Sequence, residues 1–261
     1  MQGKIALITG ATSGIGAGFA RRFAADGYDL IITGRRKEMI RSLADELGKK
    51  YGVRVEVVLC ELSNRDEIES LAQRVSGEPG IEVLVNNAGF GTNEFFHNEE
   101  FSGQENMLSV HCLAPMRLIH AALPNMLARG KGTIINVSSL RAFGAGRRVA
   151  VYCGTKSFLN KFSEAIHIEN MGKGIRIQAL CPGFTRTDFH ERIGLDTESN
   201  KAGFVRWMPV EKLVDISLRD LKKNRVICIP GLWNKLMILA QSLMPAGLYY
   251  RIAPSNGGLK E

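Results

Sequence analysis

Thr9-Gly10-Ala11-Thr12-Ser13-Gly14-Ile15-Gly16 is the stretch whose reading decides the fold. It follows the apolar, β-branched run Ile5–Thr9 and opens a helical pattern at Ile15–Ala25, so a buried strand turns abruptly into a helix. Glycine is needed where such a turn tightens and where a Cβ would block an approaching group. The backbone amides of Gly10, Thr12, Ser13, Gly14, Ile15 and Gly16, added to the positive end of the helix dipole, suit a pyrophosphate. The alternative for the loop alone is a plain strand-to-helix corner. The spacing is G-x-x-x-G-x-G rather than the better-known G-x-G-x-x-G.

Outward from this loop, short apolar runs alternate with longer helical patterns, the signature of repeated βα units on a parallel sheet. Strands are expected near Ile5–Thr9, Asp29–Thr33, Val53–Cys60, Val83–Asn86, Thr133–Val137, Ile175–Leu180 and Val226–Ile229. Helices are expected at Ile15–Ala25, Lys37–Lys50, Arg65–Val75, Phe101–Ala128, Tyr152–Asn170 and Val210–Lys223, the last begun by Pro209. The expected fold class is therefore α/β: a single-domain, Rossmann-type, doubly wound parallel sheet of seven strands flanked by helices. Residues 1–231 form its main body, an insertion near 184–208 covers a ligand beyond the sixth strand, and 232–261 form an apolar extension of the same domain.

The 261 residues, 45% of them apolar, suffice for one large core. Cys60, Cys112, Cys153, Cys181 and Cys228 are scattered, with no C-x-x-C pair, and read as reduced thiols with no metal site. The chain enters its first strand by Ile5, leaving no room for a secretory leader, so the expected location is cytoplasmic. The net charge of +8 is dispersed, in small groups such as Arg35-Arg36-Lys37, and no nucleic-acid motif accompanies it. A solvated basic surface is the expected reading.

Two further patterns carry chemistry. The end of the second strand, Ile31-Ile32-Thr33-Gly34-Arg35-Arg36, holds no carboxylate to bind a free ribose 2′-hydroxyl. Arg35, helped by Arg36, offers a cationic fork for a 2′-phosphate, so the expected cofactor is NADP(H). In Val151-Tyr152-Cys153-Gly154-Thr155-Lys156, the four-residue separation puts Tyr152 and Lys156 on one helix face. There the ammonium is expected to favour the phenolate and bring the tyrosine proton nearer neutrality.

With these motifs assembled, the chain from about Lys4 to Thr187 resembles the short-chain dehydrogenase/reductase family. The glycine loop, Asn86-Asn87-Ala88-Gly89, Asn136-Val137-Ser138-Ser139, Tyr152 through Lys156, and Pro182-Gly183 with Thr187 occur in the family's order. The resemblance implies that Ser139 hydrogen-bonds the substrate oxygen, with Ser138 as fallback, that Tyr152 is the general acid or base, and that Lys156 binds the nicotinamide ribose. It places Asn87, Ala88 and Gly89 on the adenosine-ribose side, Pro182, Gly183 and Thr187 near the nicotinamide, and Glu61 and Leu62 near adenine, where the family has an aspartate. It also implies a departure: His111 stands where the family carries a helix asparagine. That position marks a helix distortion, and His111 is either a member of the proton relay or a hydrogen-bonded helix residue without a part in turnover.

The expected reaction is NADP(H)-dependent hydride transfer between nicotinamide and a carbonyl or secondary alcohol, in the direction of reducing a hydrophobic ketone or a 3-oxoacyl or steroid-like substrate. The alternative is a non-catalytic dinucleotide-binding sensor or scaffold. Around the substrate, the loop Leu140–Val149 offers Arg141, Phe143, Arg147 and Arg148, and the insertion offers Phe184, Phe189, Phe204 and Trp207. In the tail, Trp233, Leu236, Met237, Ala240, Leu243 and Met244 fall at helical spacing. The run Leu236–Ala240 is far short of the roughly 20 residues that span a bilayer. Packing over the cleft or at a subunit interface is expected, peripheral membrane contact being the lesser reading. The resemblance implies a homodimer or homotetramer.

Overall fold

The computed structural model of the chain describes residues 4–187 and 207–252. Its first half runs β1 (Ile5–Ile8), α1 (Gly14–Ala25), β2 (Asp29–Gly34), α2 (Lys37–Tyr51), β3 (Val55–Leu59), α3 (Arg65–Ser76) and β4 (Ile81–Asn86). Then follow α4 (Phe101–Leu108), a π-helical turn (Ser109–Leu113), α5 (Ala114–Arg129), β5 (Gly132–Val137), a 3-10 turn (Leu140–Phe143), α6 (Ala150–Glu169) and β6 (Ile175–Leu180). The described elements end with α7 (Val210–Lys222), β7 (Ile227–Cys228), α8 (Leu232–Ser242) and α9 (Ala246–Ile252). The seven expected strands are present, all parallel, in the order β3-β2-β1-β4-β5-β6-β7. The insertion residues Phe189 and Phe204 lie outside the described residues.

Alternation along the strands explains why both faces of the sheet are covered. Ala6 and Ile8 of β1, with Leu30, Ile32, Val83 and Val85, face one hydrophobic cluster capped by α1, α2 and α7. Leu7, Ile31, Leu84, Ile134 and Ile177 point the other way, under α3 and α5. Phe19 is wholly enclosed in the first cluster, a burial that stabilises by about 1.5–3 kcal/mol. The register then builds a polar seam at the carboxyl edge. Asn86 pairs with Asn136, and Asn86 Nδ2 donates to Asn136 Oδ1 at 2.8 Å. Asn136 Nδ2 donates in turn to Ser163 Oγ on α6 at 2.9 Å, which fixes α6 against the sheet.

The expected helix Phe101–Ala128 carries the distortion implied at His111: the π-helical turn Ser109–Leu113 divides it into α4 and α5. Pro115 supplies the reason. It has no amide to return to the carbonyl of His111, so the i→i−4 ladder loses a bond at this point. The chain widens by one residue, and the Ala114 amide bonds the Ser109 carbonyl five positions back. The third and seventh strands are shorter than expected, at Val55–Leu59 and Ile227–Cys228, as is usual where edge positions lose a neighbour.

Candidate active site

The chain fills β1 to β3 on one side and then crosses β1 to begin β4, so the loops after β1 and β4 part at a topological switch point. There they are bound together. Thr9 Oγ1 accepts the amides of Asn87 and Ala88 at 3.0 and 3.1 Å, and Asn87 Nδ2 donates to the carbonyls of Thr9 and Gly10 at 2.9 and 3.0 Å. This clasp is possible because Gly16 has no side chain. A Cβ there would stand 2.4 Å from both Asn87 Nδ2 and Gly10 O. The side-chain amide of Asn87, expected toward an adenosine ribose, is thus spent on the glycine loop.

At the start of α1, Ser13 makes no side-chain cap, and a cleft of about 450 Å³ opens beside it. Thr12, Ser13 and Gly14 line that cleft together with Arg21 and Glu38. The two arginines after β2 divide their work differently from expectation. Arg36, not Arg35, reaches the loop: its Nη2 donates to Thr12 Oγ1 at 2.6 Å and to Ser13 Oγ at 2.8 Å. Arg35 Nη1 pairs with Glu61 Oε2 at 2.9 Å, bringing beside the end of β2 a carboxylate absent from the local sequence. That pairing, with the Ser63 amide, holds the Glu61 carboxyl below its usual range against the opposing cost of burial. Leu62 is buried, and its carbonyl accepts Ser109 Oγ at 3.1 Å.

Beyond β5 and on α6, Ser139 stands beside the Tyr152 phenol and favours its charged form, while Ser139 Oγ accepts the Arg141 amide at 3.1 Å. Ser138 is committed elsewhere: it is buried and donates to the Lys156 carbonyl at 3.0 Å. Lys156 is buried as well, its Nζ donating to Val137 O at 3.0 Å and lying 5.6 Å from the centroid of the Tyr152 ring. The expectation that this ammonium lowers the tyrosine is corrected. Desolvation dominates both groups, pushing the Tyr152 phenol up to about 12 and the Lys156 ammonium down to about 8. Tyr152 keeps some exposed surface, yet its surroundings disfavour a bare phenolate.

His111, in the π-helical turn, is fully enclosed. Its Nε2 accepts the Phe90 amide at 3.1 Å, so the ring proton belongs on Nδ1, which stands 2.9 Å from Thr155 Oγ1. Thr155 Oγ1 donates to the carbonyl of Tyr152 at 2.9 Å and so is free to accept from Nδ1. Burial first, then the nearby Lys156 charge, hold the imidazole well below its ordinary 6.5. In this arrangement the ring is neutral, and Nε2 is occupied by the Phe90 amide. The ring stands edge-on to Tyr152, with centroids 5.7 Å apart.

A family model described as short chain dehydrogenase matches residues 4–198, three quarters of the sequence. The chain belongs to the short-chain dehydrogenase family. It is 31% identical over 189 residues to the 3-oxoacyl-[acyl-carrier-protein] reductase FabG of Aquifex aeolicus, covering 72% of this chain and 76% of that one. It is 32% identical over 204 residues to the glycine betaine reductase ATRR of Emericella nidulans, which involves 76% of this chain but only 15% of that longer protein. Among solved structures, the short-chain dehydrogenase from Sphingobium yanoikuyae in complex with NADPH superposes with a TM-score of 0.82 at 32% identity, over 92% of this chain and 95% of that one.

As an oxidoreductase family whose members bind nicotinamide dinucleotides, this assignment can be tested against the residues present, and they fit. The glycines let the loop turn tightly against its neighbours: a Cβ on Gly10 would stand 2.7 Å from Ala88 Cα, and one on Gly14 3.0 Å from Thr187 Cγ2, with Gly10 and Gly14 both at positive φ. Gly89 lies so close to His111 Nε2 and Lys156 Nζ that a Cβ would be 2.9 and 3.5 Å away. The Pro182 carbonyl accepts the Leu140 amide at 3.0 Å, holding the loop after β6 against the 3-10 turn. Gly183 packs under Leu140 and Asn234. Thr155, the Asn86–Asn136–Ser163 seam and Asn234 are members of the site's surroundings that sequence reasoning missed. The first had a signal, since it adjoins Lys156 and lies one turn from Tyr152 on the helix already singled out.

Proposed function

We propose that this chain is an NADPH-dependent carbonyl reductase acting on an apolar ketone, with Tyr152 as the acid, Ser139 as the second hydrogen-bond donor and Lys156 as the buried cation beneath them. The observation that carries this reading is the Tyr152 ring 5.6 Å from the buried Lys156 Nζ, with Ser139 beside the phenol. The bound nicotinamide supplies the hydride. Ser139 orients the substrate oxygen, and Tyr152 gives its Oη proton to the alkoxide that develops there. A phenol pushed up to about 12 is fully protonated at neutral pH, and an alkoxide is a far stronger base than a phenolate. Both facts favour reduction. Neutral His111 keeps the start of α6 in place through Thr155.

Preference for NADPH follows from Arg36 with Thr12 and Ser13, whose fork and hydroxyls suit a 2′-phosphate. Arg35 serves that preference indirectly by neutralising Glu61, which would otherwise repel the phosphate. The mouth is apolar: Phe184 packs edge-on to Trp207 at 5.4 Å. Arg147 and Arg148 stack on the Phe95 ring at 5.3 and 4.8 Å, using their charge within the loop. A bulky ketone or 3-oxoacyl group, the substrate named for the Aquifex aeolicus relative, fits these walls. We place the enzyme in the cytoplasm as a homodimer or homotetramer.

Initial rates with NADPH and with NADH across cyclic ketones, aryl ketones and 3-oxoacyl thioesters test the proposal. NADPH oxidation by an apolar ketone is expected. Turnover of polyols with NAD alone, or no turnover with any carbonyl, would overturn it.

A further inference from the structure

Helix α8 turns Asn234 and Gln241 to the protein and a row of leucines to solvent, the reverse of what a globular surface helix does with its leucines. Asn234 Nδ2 donates to Pro230 O at 2.6 Å and Gln241 Nε2 to Phe143 O at 2.7 Å, while from α9 Tyr249 Oη donates to Ala145 O at 2.5 Å. On the other side Leu232 is 73% exposed, Leu236 49%, Leu239 55% and Leu243 77%, at the spacing of one helical stripe, and α9 adds Leu248 at 49% and Tyr250 at 68%. No residue of either helix is buried. Such a patch calls for an apolar partner.

Charge selects the partner. From Leu221 to Ile252 the sequence contains no Asp or Glu, and Lys235 and Arg251 are exposed on the two helices. A second copy of the chain docked through this face would bring cation to cation with no carboxylate from either helix to pair them. An anionic bilayer surface complements the charge and accepts the leucines. The helices are too short to cross a bilayer, and among the described residues no helix is long and apolar enough to do so. Residues 253–261 offer only Ala253, Pro254 and Leu259 as apolar cover.

We propose that α8 and α9 form a docking face that lies in the headgroup region of an anionic lipid surface. The same helices hold the loop Phe143–Ala145 beside Ser139 by their polar sides. Docking would thus set the mouth of the site against the apolar phase, a consequence that rests on the proposed function although the docking itself does not.

Flotation of the full chain with vesicles tests this directly, comparing phosphatidylcholine alone with phosphatidylcholine containing about one third phosphatidylglycerol. About tenfold more protein is expected to float with the anionic vesicles, with loss of the difference at high salt and in the combined variant Leu236→Glu, Leu239→Glu, Leu243→Glu. Retained circular dichroism and ketone turnover without vesicles establish that the variant folds. Failure to float with anionic vesicles, or equal flotation with both compositions, overturns the proposal. So does a dimer that the variant splits into monomers while neither vesicle binds. Ketone turnover measured without lipid reports on the reductase reading alone, so the two fail separately.

Discussion

The Phe90 amide donates to Nε2 of His111 at 3.1 Å and thereby commits the imidazole to its neutral, Nδ1-protonated form. The folded chain holds this ring well below 6.5, whereas the unfolded chain titrates near that value. Below pH 6.5 the unfolded state therefore binds a proton that the folded state refuses. Stability is full above that pH and falls as pH drops through it, by up to about 1.4 kcal/mol per pH unit until the folded ring itself titrates. Denaturant melts between pH 7 and 5 should show this slope in the wild type and a shallower one in His111→Asn.

His111→Asn should also keep turnover within about fivefold, because an amide oxygen can accept from Phe90 and its NH2 can donate to Thr155. His111→Leu strands the Phe90 amide and should cost about 1–3 kcal/mol of stability and more of kcat than of KM. A His111→Asn enzyme that lost both turnover and the alkaline limb of its pH profile would establish the relay role.

Arg36→Ala should weaken NADPH binding by about tenfold or more and leave NADH nearly unchanged, since one charge-assisted fork is worth about 1.5–3 kcal/mol. Arg35→Ala uncovers the Glu61 carboxylate, and Glu61→Gln in that background should recover NADPH affinity. Fluorescence titration of the four proteins is sufficient. Equal loss of both dinucleotides in Arg36→Ala would refute the 2′-phosphate assignment.

Tyr152→Phe should lower kcat by about two orders of magnitude or more with NADPH binding intact, and Ser139→Ala by somewhat less. Stopped-flow hydride transfer separates these from effects on release. Wild-type rates in Tyr152→Phe would remove the tyrosine from the chemistry.

Gly16→Ala places a methyl group 2.4 Å from the Gly10 carbonyl, a backbone atom that cannot swing aside. The clasp between the loops after β1 and β4 must open, so dinucleotide affinity and melting temperature should fall together. Calorimetry with and without NADPH measures both. An unchanged melting temperature would show that the loop can relax around the methyl.

The seven parallel strands and the glycine loop were legible because parallel βα units leave strong marks: Ile5–Ile8 and Ile31–Ile32 are apolar on both faces, and loop glycines sit between strand and helix. Ser139, Tyr152 and Lys156 were legible through ordered motifs. Contacts that depend on which side chain turns inward were not. Arg35 and Arg36 are adjacent, and only the folded end of β2 decides which of them meets Thr12. Glu61 lies 26 residues from Arg35, so its carboxylate is invisible to any local reading. The sign of the Tyr152 shift depended on burial, which outweighed a neighbouring charge. The break before α5 did have a mark, because Pro115 at the start of a helix announces that the preceding turn loses a bond. The tail's periodicity was correct, but periodicity alone does not say which side faces the core, and hydrogen bonds from Asn234 and Gln241 turned it outward.

The extra residue in the turn Ser109–Leu113 makes this part of the molecule sensitive to chain length rather than to composition. Excising any one of those five positions would rotate the residues before it by about 100° and turn Gln104 and Met107 out of the packing they now occupy. The imidazole would swing away from Phe90 while every strand kept its place. A single-codon deletion here is therefore expected to cost the preceding helix its packing and His111 its place together, a change that no substitution in the strands would mimic.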